Sequence, residues 1–177
     1  MKRALIALSG VVISLTLGGC GRTPDSATNA GTPAATPPAG MVSSASVVKV
    51  QATAVSIQPG GAVDAPVTLS ISSGFHVNAN PATFSYLIPT EVTAGTTEGI
   101  TVSKPVYPVG VKRKFQFANE PLAVYEGDAQ IKLPLRAEKN AAKGARSLPL
   151  NIRVQACDHE QCFPPATLNA TIAIEVK

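Results

Sequence analysis

"SLPLNIRVQACDHEQCFPPATLNATIAIEV", Ser147 to Val176, consists of two alternating runs around a middle that holds two cysteines. In the first run Leu148, Leu150, Ile152 and Val154 alternate with Pro149, Asn151, Arg153 and Gln155. In the second, Leu168, Ala170, Ile172, Ile174 and Val176 alternate with polar or small partners. A period of two places the apolar side chains on one face, so each run predicts a half-buried β-strand. Asp158-His159-Glu160-Gln161 closes the turn between them, with Cys157 ending one arm and Cys162 opening the other. Apolar positions are even-numbered up to Val154, so continued alternation puts Cys157 on the opposite, more accessible phase unless a bulge intervenes.

The same period recurs upstream. Val67, Leu69 and Ile71 alternate with Thr68, Ser70 and Ser72, and Ile131, Leu133 and Leu135 with Lys132, Pro134 and Arg136. Shorter runs lie at Val47 to Ile57, Ile100 to Val102 and Lys114 to Phe117, separated by turn-rich spacers such as Gln58-Pro59-Gly60-Gly61. The 177 residues are 45% hydrophobic, enough for one core of ordinary size, and 15 prolines with 14 glycines favour short strands over a helical bundle. About seven strands of this kind predict an all-β, two-sheet antiparallel sandwich. There is no long amphipathic helix pattern and no internal repeat.

The first residues read as an address. Met1-Lys2-Arg3 gives a positive start, and Ala4 to Leu17 is apolar but short for a spanning helix. Leu17-Gly18-Gly19-Cys20 resembles the bacterial lipobox, in which the cysteine is diacylated and becomes the first residue after cleavage. Residues 1–19 are therefore expected to be a lipoprotein signal peptide, with Cys20 the lipidated residue that holds the chain on a membrane. Gly21 after that cysteine favours the outer membrane in a cell that has one. Residues 20–45 hold Pro24, Pro33, Pro37 and Pro38 among Thr, Ala, Ser and Gly, a composition that cannot build a core. They are expected to form a tether with a reach of roughly 25–30 Å, leaving 46–177 as the β domain. The domain is then expected in the periplasm or at the cell surface, where disulfides persist.

The formal charge is +4, from 15 basic and 11 acidic residues, and removal of Lys2 and Arg3 lowers it to +2. Lys112-Arg113-Lys114 is the one basic run and reads as a solvated strand face, so no nucleic-acid partner is expected.

Three chemistries compete for the cysteine pair. A bridge closing about six residues stabilises by only roughly 2 kcal/mol in the chain-entropy account, so a purely structural staple gains little. Of the two histidines of the chain, a zinc site would need His76 brought across the sandwich to His159 and both thiols, and a copper site would use the thiols with His159; no metal or other cofactor is expected. His159 reads as a solvent-exposed turn residue, and His76 beside Phe75 as a hydrogen-bonded structural one. A redox centre is favoured by the flanks: Phe163 offers an apolar lid, and Pro164-Pro165 fixes the loop and removes two amide donors. Asp158 and Glu160 disfavour a thiolate where protonated His159 would favour it.

"VQACDHEQCFPPATLNATIAI" resembles the active-site hairpin of the N-terminal periplasmic domain of the thiol:disulfide interchange protein DsbD, the disulfide bond corrector domains. "GFHVNANPA", Gly74 to Ala82, and "VYEGDAQIKLPL", Val124 to Leu135, are similar to two further stretches of that domain, in the same order. The likeness runs from about Val47 to Lys177. It implies an immunoglobulin-like sandwich carrying reducing equivalents to thioredoxin-fold periplasmic proteins, an electron carrier rather than an enzyme with a small-molecule substrate. It also implies that Cys162 forms the mixed disulfide, that Cys157 resolves it, and that Tyr125 caps the pair. Relatives that continue into a multi-span membrane domain and a thioredoxin-like domain carry their own electron source. This chain ends at Lys177 without them, so a separate membrane electron donor is expected. The cap segment has Ala123 and Val124 where some relatives carry acidic residues. The alternative is a non-catalytic immunoglobulin-like binding or scaffold lipoprotein with a permanently closed disulfide.

Overall fold

The computed structural model describes residues 42–177. The expected signal segment, Cys20 and nearly all of the expected tether lie outside the described residues. One turn of helix, α1 (Ser44–Val47), leads into twelve strands. Those of the first sheet are β1 (Val48–Ala52), β3 (Ala62–Ile71), β9 (Asp128–Ala137) and β6 (Ile100–Val102), hydrogen-bonded in that order. A second sheet takes β2 (Val55–Ile57), β12 (Ala166–Val176), β10 (Gly144–Val154) and β5 (Glu91–Ala94). The third is small: β11 (Ala156–Cys157), β4 (His76–Asn78), β8 (Leu122–Tyr125) and β7 (Val111–Arg113). Pairing is antiparallel throughout except between β12 and β2.

The alternating runs behave as their period requires. β10 pairs with β12 from Gly144↔Val176 to Val154↔Ala166, and Leu148, Leu150, Ile152, Val154, Ile172, Ile174 and Val176 are all buried. Val67, Leu69 and Ile71 of β3 and Ile131, Leu133 and Leu135 of β9 meet them in one continuous core. The two long sheets are therefore the layers of an immunoglobulin-like sandwich.

The small third sheet is the feature that the alternation does not foretell, and it raises the strand number well above seven. Its strands are too short to show a period. The run Lys114 to Phe117, expected as a strand, is instead the turn that succeeds β7. Phe115 is buried there with Leu122 and Val124 in a second apolar cluster, against which Phe84, Leu87 and Ala118 pack. The expected phase of Cys157 also changes. β10 leaves its sheet after Val154, Gln155 belongs to neither ladder, and Ala156 and Cys157 re-pair with Val77 and His76. This break resets the alternation, and Cys157 is 1% exposed. At the other end, ordered packing begins at fully buried Ser44, two residues before the expected start of the domain.

Ile152 lies at the centre of the β10–β12–β5 ladder and has no exposed surface. Ile152→Ala is expected to destabilise the fold by about 3 kcal/mol, through lost transfer energy and the cavity left behind. Replacing its exposed neighbour Arg153 by Ala should change stability by less than about 0.5 kcal/mol, both read by urea unfolding.

Candidate functional site

Cys157 and Cys162 are joined by a disulfide across the head of the β10–β12 hairpin, with their Cα atoms 3.9 Å apart. Asp158 to Gln161 make the turn: the Asp158 amide donates to the Gln161 carbonyl at 2.9 Å, and Asp158 Oδ1 accepts from the amides of Glu160 and Gln161, each at 2.8 Å. Those amides, Gln161 first, hold the Asp158 carboxyl below its usual range, with smaller help from His159 and His76. The carboxylate is thereby committed to shaping the turn. The two residues differ in access: Cys157 is buried and Cys162 is exposed.

The arms below the turn are clamped. The Phe163 amide donates to the Ala156 carbonyl at 2.9 Å, and Gln155 Nε2 to the Phe163 carbonyl at 3.2 Å. Ser44 reaches between both arms from the start of the domain: its Oγ accepts from the Ala156 amide at 2.9 Å and donates to the Pro164 carbonyl at 2.7 Å. Nothing in the local sequence marks Ser44 for this task, since its partners lie more than a hundred residues away. Phe163 is half-buried against Phe75, with ring centroids 5.9 Å apart, while Pro164 and Pro165 are exposed.

His76 stands directly across from Cys157 in the β4–β11 pair. Opposed residues of an antiparallel pair share a face, so the imidazole and the Cys157 sulfur project to the same side. The ring is 3% exposed and stacks on Phe115 at 3.9 Å, with Phe117 parallel at 6.5 Å. Its Nε2 is buried without a hydrogen-bond partner. His76 is thus a stacked residue rather than the hydrogen-bonded one expected. Burial lowers its pKa to about 4, a shift that Glu126 and Asp158 oppose and His159 reinforces. His76, Phe75, Phe115, Glu126 and exposed His159 border an open cleft of about 420 Å³ beside the hairpin.

Tyr125 lies elsewhere. It pairs with Val77, which pairs in turn with Ala156, and this row faces the main core, on the side of the small sheet opposite to Cys157 and His76. Its hydroxyl accepts from the Asn80 amide and donates to the Pro108 carbonyl, both at 3.0 Å, and burial raises its pKa. The rings stacked on His76, the residue opposite Cys157, are Phe115 and Phe117. Their Phe-x-Phe spacing is visible in the sequence, but reading them as a strand conceals it. Next to Tyr125, Glu126 pairs with Arg113 at 3.0 Å on the surface.

The lowered His76 value carries a linkage consequence. Between about 4 and the ordinary 6.5 the unfolded chain binds a proton that the folded chain refuses, so stability is whole above that window and falls as pH drops through it. The loss through this group should be on the order of 2 kcal/mol, read by urea unfolding at several pH values, and His76→Phe should remove it.

The family described as thiol:disulfide interchange protein DsbD, N-terminal, matches residues 44–173. Comparison with curated proteins gives no match. Among solved structures, the DsbD N-terminal domain of Neisseria meningitidis in its reduced form is 17% identical, with a TM-score of 0.41 over 63% of this chain and 78% of that one. The complex of the DsbD and PilB N-terminal domains from the same organism gives 16% identity and a TM-score of 0.38, over 61% of this chain and 73% of that one. The N-terminal periplasmic domain of ScsB from Proteus mirabilis gives 10% identity and a TM-score of 0.44, covering 73% of this chain but 45% of that one. With the family spanning most of the chain, from the Ser44 clamp through the cysteine hairpin and nearly to the end of β12, this protein belongs to the DsbD N-terminal domain family.

Proposed function

We propose that this protein carries reducing equivalents between thioredoxin-fold proteins by thiol–disulfide exchange at Cys157 and Cys162. The observation that carries the reading is the unequal exposure of the two bonded cysteines, Cys162 exposed and Cys157 buried. Exchange needs in-line approach to one sulfur and a second thiol held ready to displace the partner. In the reduced domain, Cys162 thiolate attacks the partner's disulfide, forming a mixed disulfide and releasing one partner thiolate. Cys157 thiolate then attacks Cys162 Sγ, which frees the partner's other sulfur and restores the Cys157–Cys162 bond. Two electrons and two protons pass to the partner. The reverse sequence, begun by a donor dithiol, reloads the domain.

The anchoring belongs to the same reading. Acylated Cys20 holds the chain on a membrane, the outer one where Gly21 sorts it there, and the tether lets the domain work in the periplasm. A separate membrane-bound reductase supplies the electrons. Phe163 and the Pro164-Pro165 pair keep the cysteine loop in one shape while partners change, and exposed His159 lies at its rim.

Cys157→Ala is expected to trap partners as mixed disulfides on Cys162, recovered from cells by non-reducing electrophoresis, whereas Cys162→Ala should trap none. The isolated pair should equilibrate with glutathione or dithiothreitol buffers in the range of thioredoxin-like carriers. A potential below about −300 mV would mark a permanent staple and defeat the reading.

A further inference from the structure

Thiol–disulfide exchange at the hairpin leaves one buried group unused. When a thiolate attacks Cys162, the electron pair of the broken bond moves to Cys157 Sγ, and negative charge appears on an atom with almost no contact with water. A buried anion without a donor is costly, and a hydrogen bond to it is stronger than one between neutral groups. His76 stands opposite that sulfur on the same sheet face, and its Nε2 has no partner while the disulfide is closed. An orphaned buried nitrogen is uncommon in a folded protein and calls for an explanation.

We propose that His76 is the hydrogen-bond donor to the Cys157 thiolate, unpartnered in the oxidised protein and engaged once the bond opens. The inference rests on the proposed exchange function. A disulfide sulfur is a weak acceptor, which accounts for the idle nitrogen; a thiolate is a strong one. Once released from Cys162, the Cys157 side chain is free to turn toward the ring. The imidazole can serve because it is neutral, with a proton on one nitrogen only, and a small shift of tautomer places that proton toward the sulfur. Its orientation is fixed by the Phe115 stack. The charged or titratable groups around it are Glu126, His159 and Asp158. Glu126 is held in an ion pair with Arg113, and Asp158 by the turn amides, so neither carboxylate is left to compete with the sulfur for the imidazole N–H. No net proton is consumed in the first step: the bond to Cys162 breaks, the partner's sulfur bonds to Cys162, and the thiolate rests on the imidazole N–H. The proton that later converts it to a thiol enters from the open cleft.

The test uses the chain with its disulfide formed. Reduction by dithiothreitol, monitored by stopped flow, should slow about tenfold in His76→Phe, which keeps the aromatic stack but has no donor, because a less stabilised thiolate leaves more slowly. His76→Gln, which keeps an N–H, should recover most of that rate. In a Cys162→Ser background the ultraviolet absorbance of the Cys157 thiolate should appear at higher pH with His76→Phe than with His76. If a variant fails to fold, the nitrogen shifts of His76 in the Cys162→Ser chain decide: they should move with the titration of Cys157. Unchanged rates with an unchanged thiolate titration, or imidazole shifts blind to Cys157, would overturn the inference. Wild-type protein that fails to exchange with thioredoxin-fold proteins, yet shows the His76 effects, would sink the functional reading and leave the inference standing.

Discussion

A β-strand can satisfy its hydrogen bonds in only one ladder at a time, and strand β10 runs out of ladder at Val154. The geometry of the cysteine hairpin depends on how the chain crosses there from the long sheet to the small one. Gln155 spans the gap and bonds the returning arm at Phe163, and Ser44 Oγ accepts the Ala156 amide. Only then can Cys157 pair with His76, which turns its sulfur away from solvent and onto a face of rings. Had the alternation continued unbroken, both cysteines would have stood at the surface with nothing to distinguish them.

The charged groups of this environment each have partners of their own. Asp158 is engaged by the turn and Glu126 by Arg113, while burial keeps His76 neutral. Two carboxylates close to a sulfur would oppose a thiolate by repulsion. Arg113 offsets the charge of Glu126, while the turn amides fix the position of the Asp158 carboxylate. Buried Phe115 covers His76 on the same face with exposed Phe117 stacked beyond it, and the cluster of Phe115, Leu122 and Val124 holds that ring in position.

The long strands were legible because they have one wet face and one dry face, so their period is written in the residue types. The small sheet was not, because strands of two to four residues complete no period and β4 is buried at every position. The cysteine hairpin could be placed on its turn, yet the burial of Cys157 arises from a register break that depends on distant partners. Tyr125 could be placed near the hairpin but not on a face, because one residue along a pleated strand is the other side of the sheet. Ser44 illustrates a different limit, since a hydroxyl that closes two backbone gaps looks like any other serine of a small-residue segment.

That serine also fixes where the chain enters the domain. The entry point lies on the cysteine hairpin, bonded to both of its arms, and not at the far end of the sandwich. Loss of that one hydroxyl would at once leave the Ala156 amide and the Pro164 carbonyl, one on each arm of the hairpin, without their partner.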